Sequence, residues 1–448
     1  MPQQKHSPIK YILILLVLLV IIGAGFYIMM NRTTTSGTST TGSGQTDNGF
    51  TPFGRVPATT LGTGTMNNQS TSTTSQNNTP IVLPTLRLLS NTPVGGYGAS
   101  TTASTTIVRW VDRGRGNIYE AREDSLEAAT ISNTIVPKIF SSLWNKNLTA
   151  FIGSSLLDNS SPATTLYAEL RARILPKTAT STATSSKNVT QAPGTSIVVD
   201  SLQTPYELKG RNLPSDITTY AVSPKKDKVF FLANENGYGV GYTATFDGQS
   251  VTQIFSTPVT QANAEWPEDN TIAITTKGSA SQNGYLYFVD PKKGVWNKIL
   301  GPISGLSTRV SHDAKYVVAS GSYTNSITTS IYAVSTGQNL DAVIHTLADK
   351  CVWGNFNKNM LYCAVPSQPT NGAYPDDWYK GTISMVDKIW QVNATSGEIH
   401  LVTSIVDQSD RVIDAFNLGL DPKDEYLFFM NKNDLSLWSF DLVASKVQ

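Results

Sequence analysis

Residues 217–256 set the pattern that most of the chain follows. Two apolar runs, Tyr-Ala-Val at 220–222 and Val-Phe-Phe-Leu-Ala at 229–233, flank the polar turn Ser-Pro-Lys-Lys-Asp at 223–227. An alternating run over 239–246 closes on Phe-Asp-Gly at 246–248, and a fourth short run covers 251–255. β-Branched and aromatic residues at this spacing favour strands. The Pro, Asp, Asn and Gly between them favour tight turns. The segment therefore reads as one antiparallel unit of short strands.

The unit recurs. Polar turns stand at 144–147, 223–227, 266–270, 311–315, 353–358 and 421–424. Each precedes an apolar run, at 148–152, 229–233, 271–275, 316–319, 360–365 and 426–430. Third runs at 285–289, 330–334, 388–392 and 437–440 close on turns that contain Asp290, Ser335, Asn393 and Asp441. The middle units repeat at roughly 43 to 45 residues, the length of a four-stranded propeller blade. Gly95-Gly-Tyr-Gly98 reads as a loop or strand edge. Trp144, Trp266 and Trp353 occupy equivalent places, where core packing between neighbouring units is expected. Asp290, Asn393 and Asp441 read as turn-forming residues.

On the Ser-Pro-x-x-x-Lys turn at 223–228 and the Phe-Asp-Gly turn, residues 81–448 resemble the TolB-type, WD-repeat-like β-propellers of extracytoplasmic bacterial proteins. No unit carries that family's full Ser-Pro-Asp-Gly-Lys signature, and the Trp-Asp dipeptide is absent. The resemblance implies an all-β fold, a β-propeller with seven four-stranded blades. Six turns of the first type plus the unit around Val111 give that count. The run at 86–89 has no unit of its own, so it is expected to complete the last blade, leaving no open edge.

Ahead of the repeats, residues 9–30 form one apolar run. It is uncharged from Tyr11 onward for about 20 residues, enough to cross a bilayer as a helix. Lys5 and Lys10 precede it, which predicts a cytoplasmic N-terminus and a propeller outside the cell membrane. The alternative is a cleaved signal peptide, with Ala24-Gly25 as its site. Residues 31–80 are rich in Thr, Ser, Gly and Asn, and predict a disordered linker. The expected division is thus 1–30 tail and span, 31–80 linker, and 81–448 propeller. A second low-complexity stretch at 176–196 reads as a surface loop. The layout also resembles that of membrane-anchored propellers of small-genome bacteria.

Charge and motifs narrow the chemistry. Lys plus Arg number 34 against 33 Asp plus Glu, with no basic cluster, so nucleic acid is not an expected partner. No Gly-x-Ser-x-Gly elbow, phosphate loop, dinucleotide fingerprint or calcium loop occurs. His6, His312, His345 and His400 stand in unrelated contexts. No catalytic residue, cofactor or metal site is therefore expected. Cys351 and Cys363 lie symmetrically about Asn357 in two consecutive predicted strands, where antiparallel pairing would bring them within reach of a disulfide. The alternative is two buried thiols.

One segment breaks the repeat. Residues 366–381, between the second and third strands of their unit, are longer than comparable connections. They carry Tyr374, Asp376, Asp377, Trp378 and Tyr379, an aromatic-acidic set of the kind that binds sugars, cations or peptides. These five are the expected ligand- or partner-binding residues. The alternative is a loop folded on its own aromatics. The function expected is a membrane-anchored binding or protein-interaction module of the cell envelope, with a protein or glycan partner. Two other readings stand beside it: an enzyme acting on glycans or peptides in the central funnel, and a structural subunit of an envelope or secretion assembly.

Overall fold

The computed structural model describes residues 83–103, 105–156, 163–173 and 204–446. The predicted span at 9–30, the linker at 31–80 and the loop at 176–196 lie outside the described residues. Among the described residues no helix is long and apolar enough to cross a membrane.

Four-stranded antiparallel meanders recur over 94–132, 139–212, 217–257, 262–304, 307–341 and 351–404, numbered here as units one to six. Units one and two share one sheet through a single parallel bridge between Ser132 and Tyr206. Unit seven takes three strands from 415–441, and its outermost strand comes from the other end of the domain. That strand, Leu86–Ser90, runs antiparallel to Leu437–Asp441, with Leu88 opposite Trp438. The closing strand expected at 86–89 is therefore present.

The second strand of each unit explains why the units assemble. In a strand, alternate side chains point to opposite faces. Phe230 and Leu232 pack against Ile272 and Ile274 of unit four. Val229 and Phe231 pack against Ala150 and Ile152 of unit two. Likewise Leu361 and Cys363 face unit five, whereas Tyr362 and Ala364 face unit seven. These runs are continuously apolar because both faces are buried. Phe428 and Met430 of unit seven join Val108 and Trp110 of unit one, so the succession of clusters returns to its start. First strands lie against one another from unit to unit, as Ala262–Glu268 does against Ile217–Val222 and Ser307–Val310. The result is an all-β propeller.

The repeated turns have a common chemistry. Ser223 Oγ accepts the backbone N–H groups of Asp227 and Lys228, Ser311 Oγ that of Tyr316, and Asp421 those of Glu425 and Tyr426. Lys226, Ala314 and Asp424 each follow with positive φ, at 55°, 54° and 59°. Ser or Asp thus supplies the acceptor that lets the chain reverse. Asp290, Asn393 and Asp441 do the same at outer turns, each accepting two backbone N–H groups.

Trp144, Trp266 and Trp353 lie in first strands, buried between units one and two, three and four, and five and six. Of the two readings of the Gly-Gly-Tyr-Gly segment, loop or strand edge, the second holds. It belongs to the strand Val94–Thr101, the first of unit one. A Cβ on Gly95 would sit 2.5 Å from the Ile139 carbonyl oxygen, and one on Gly98 2.7 Å from Trp144 Cβ. Close approach of two first strands requires glycine there. Cys351 lies opposite Cys363 in the ladder, and a disulfide joins them with Cα atoms 4.1 Å apart.

The closing strand is also clamped electrostatically. Arg87 donates to Glu123 at 2.8 Å and to the Ser125 carbonyl at 2.6 Å, and Ser439 donates to Glu123 at 3.3 Å. Burial pushes the Glu123 carboxyl up to about 7, against the opposing pull of Arg87. A folded pKa raised above an unfolded value of about 4.3 gives a contribution complete below that value and lost as pH rises through about 7. Arg87→Met removes the cation that holds the Glu123 carboxyl down, so that carboxyl rises further, and the cost should approach about 3–5 kcal/mol only at alkaline pH, where Glu123 is charged without its partner. The cost should shrink as the pH falls and Glu123 takes a proton. Urea melts of both proteins across this range measure it. Deletion of 81–90 is expected to lower the melting temperature, and an unchanged melt would show that closure contributes nothing.

Candidate functional site

The long connection of unit six leaves the strand Met360–Pro366 and returns at Asp387–Asn393. Its middle is a short helix, Asp376–Lys380, ending at Gly381 with φ 76°. Pro375 before it with Asp376 and Asp377 in its first turn, and Lys380 at its end followed by Gly381, are the start and stop signals of such a turn. The segment is fastened to several units. Gly372 donates to the Asn325 carbonyl at 2.9 Å, and Asp376 accepts the Ala280 N–H at 2.6 Å. Tyr379 donates to Asp349 at 2.9 Å, and Ser384 to Asn433 at 2.8 Å. Gly305, at φ 66°, leaves room for the Tyr374 carbonyl, which would lie 2.4 Å from a Cβ there. Tyr374, Trp378 and Met385 form an apolar cluster with Leu347.

Beneath this cluster lies a buried ammonium. Lys350 is 0% exposed and sits between the equally inaccessible Asp387, at 2.8 Å, and Asp414. Its ammonium lies 5.3 Å from the Trp378 ring, and that of Lys432 lies 5.2 Å from the same ring. Asp414 accepts the Trp378 indole N–H at 3.0 Å and the Met385 N–H at 3.1 Å. Asp387 accepts the Ala415 N–H at 2.6 Å through one oxygen, while its other oxygen has no partner. A charge is tolerated at this depth only when it is paired. Two carboxylates share one ammonium, and burial pushes the Asp387 carboxyl up to about 6 while Lys350 opposes the shift.

A second charged group lies on the first strands of units four and five and the short turn Ala348–Lys350. Arg309 is 3.4 Å from Glu265 and 4.0 Å from Asp349. Glu265 also accepts the Val310 N–H at 3.0 Å. Burial raises the Glu265 carboxyl, and Arg309 pulls it back. In both groups a cation stands between two carboxylates. Among the described residues, no three or more His, Cys, Asp and Glu are placed to hold a metal ion.

The five expected binding residues are brought together, in unequal positions. Tyr374 is 0% and Trp378 4% exposed, so their rings face protein. Asp376 and Asp377 are half-buried, each accepting a backbone N–H, Asp377 that of Ala373 at 2.8 Å. Tyr379 is 37% exposed. Its side chain, with Asp376 and Lys380, borders a polar cleft of about 710 Å³ against unit four, whose other wall carries Gln261, Gln282, Asn283 and Tyr285. Lys350, Asp387 and Asp414 were not singled out by sequence. The available signal was charge inside apolar runs, Leu-Ala-Asp-Lys-Cys-Val-Trp at 347–353 and Met-Val-Asp-Lys-Ile-Trp at 385–390.

Lys350→Met strands two buried carboxylates and is expected to destabilise the domain by about 3–5 kcal/mol. Asp387→Asn leaves one carboxylate for one ammonium and should cost much less. The raised Asp387 pKa makes its contribution complete below about pH 4, its unfolded value, and lost as pH rises through about 6. Subtracting the stability curve of Asp387→Asn from that of the native chain should therefore leave a term that declines between these two pH values. A flat difference would show that Asp387 does not titrate there.

No protein-family model and no curated protein matches the chain. Solved structures similar to it include TolB from Acinetobacter baumannii, at 12% identity and TM-score 0.38, covering 73% of this chain and 60% of that one. The β-propeller domain of the Trilobed protease from Pyrococcus furiosus is similar at 10% identity and TM-score 0.45, covering 77% of this chain and 94% of that one. Oligogalacturonate lyase from Vibrio parahaemolyticus gives 10% identity and TM-score 0.45, covering 78% and 97%. At this level the likeness extends only to strand architecture, and the propeller assignment rests on the pairings and clusters above.

Proposed function

We propose that the chain is a seven-bladed β-propeller, anchored in the cell membrane by one N-terminal span and displayed outside the cytoplasm, where it works as a binding module of the envelope. The observation that carries this reading is the loop at 366–386. It is pinned across units four to seven by a buried charge cluster and an apolar plug, and it holds one wall of an open polar cleft. A recognition surface gains from such fixed support, because less freedom is lost on binding. The apolar run at 9–30 with Lys5 and Lys10 before it supports the orientation. The Cys351–Cys363 disulfide suits an oxidising compartment.

The cleft's chemistry suits a glycan. Gln261, Gln282 and Asn283 offer amide donors and acceptors that match sugar hydroxyls. Tyr285 and Tyr379 offer ring faces with polar tips. Lys277 and Lys380 outnumber Asp376, so the lining carries one net positive charge. Tyr379 and Asp376 are the expected site residues that take part directly, while Tyr374, Trp378 and Asp377 hold the loop in shape. The Lys350 group, sealed from solvent with Asp387 and Asp414, is better suited to holding the loop than to meeting a substrate.

Calorimetric titration with soluble cell-wall oligosaccharides tests the glycan class. Saturable binding is expected, weakened about tenfold or more by Gln282→Ala with Tyr285→Ala while the melting temperature holds. Binding indifferent to both changes, or none at all, would remove the glycan from this cleft. Protease added to intact spheroplasts is expected to digest the propeller, and full protection would reverse the orientation.

A further inference from the structure

A second cavity, of about 510 Å³, lies against the beginning of the same loop, between units five and six. Its origin is in the strand pairing. The outer strand of unit five, Gln338–Asp341, pairs with the third strand only along Ser330–Ala333. The first half of that third strand, from Ser326, has no fourth strand beside it. The interface between the two units therefore opens at that end. Ile327, Ile344, Val365, Pro369, Met385 and Trp390 line the opening. Its volume is within the range of small-molecule sites, about 300–1,000 Å³. Val343, 80% exposed, also borders it.

No Asp or Glu lines this cavity, but Lys388 does. Lys388 is half-buried, two positions before Trp390 on the strand Asp387–Asn393, so both side chains lie on one face. Among the described residues its ammonium has neither an ion pair nor a hydrogen bond, unlike that of Lys350 two strands away. His345 borders the cavity as a further polar group. An apolar chamber bordered by an uncompensated ammonium is complementary to a molecule with an apolar body and one negative end. Such a ligand would bury its body against Trp390 and Met385 and pair its charge with Lys388.

We propose that this cavity binds an amphipathic monocarboxylate, a free fatty acid with a single acyl chain. The site is separate from the polar cleft and stands or falls independently of it. The acyl chain lies between units five and six, and the carboxylate meets Lys388.

The test is photolabelling of the full chain with a diazirine-bearing dodecanoate, followed by peptide mapping. Label is expected on the peptides carrying Ile327 and Met385–Trp390, displaced by excess dodecanoate and much less by dodecanol. Lys388→Met should reduce labelling at least about fivefold, and Lys388→Arg should retain it. Ile327→Trp, which fills the chamber, should abolish it with no change in melting temperature. Absence of label from these peptides, equal displacement by dodecanol, or full labelling of both Lys388→Met and Ile327→Trp would overturn the proposal.

Discussion

Every unit of this domain has apolar side chains on both faces of its second strand, and that constraint forces the ring. Phe429 and Leu427 point toward unit six, while Phe428 and Met430 point toward unit one. A terminal unit in an open stack would leave one such face in water, at about 25 cal/mol for each Å² exposed. Closure removes the problem for all units together. It also assigns a definite task to Leu86–Ser90, which covers the outer edge of unit seven and carries Arg87 into contact with Glu123 of unit one. The two chain ends of the domain thus meet in one sheet, and the chain enters the fold at its outer rim.

Within the ring, charge is handled by enclosure of a cation between acids. Arg309 between Glu265 and Asp349 is 36% exposed and partly screened by water. Lys350 between Asp387 and Asp414 is wholly dry. The difference matters for the loop above. Trp378 lies against the dry cluster by its ring and donates to Asp414 by its indole, so the loop's position and the charge balance are one structure. A buried cluster of this kind is weak as net stabilisation but unforgiving of partial removal. It therefore favours one loop geometry strongly over alternatives that would strand a charge.

The parts of this structure that were legible in the sequence are those fixed by local period. Val-Phe-Phe-Leu-Ala at 229–233 and Leu-Phe-Phe-Met at 427–430 read as two-faced strands because short continuous apolar runs bounded by turn residues have few other solutions. The symmetry of Cys351 and Cys363 about Asn357 was visible because a hairpin register is set locally, and the two residues do face each other. The strand Val94–Thr101 was obscured by its glycines, whose reason is a neighbour some 40 residues on rather than a turn. The Lys350 cluster was hidden for a similar reason. Its members are 64 positions apart at the ends, and nothing in either run announces the other. Composition marked the loop at 366–381 as unusual, but aromatic and acidic residues serve equally to grip a ligand or to grip the protein, and here Tyr374 and Trp378 grip the protein.

That inward use of the aromatics bears on what the outward surface can do. A free loop of this length would lose backbone and side-chain freedom on meeting a ligand, at about 1–2 kcal/mol for each residue fixed. This loop has already lost it on folding, through Trp378, Tyr374 and the hydrogen bonds to Ala280, Asn325 and Asn433. What it then presents differs from one end to the other. Toward unit four it presents Asp376, Tyr379 and Lys380 opposite amides and hydroxyls. Toward unit five it presents Pro369 and Met385 opposite Ile327 and Ile344, with Lys388 beside them. One insertion thus borders two cavities, one lined by amides, hydroxyls, Lys277, Lys380 and Asp376, the other mainly by aliphatic and aromatic side chains with Lys388 as its charged group. The element between them is held from below, by the stacking of Lys350 on Trp378 and the hydrogen bond from its indole to Asp414.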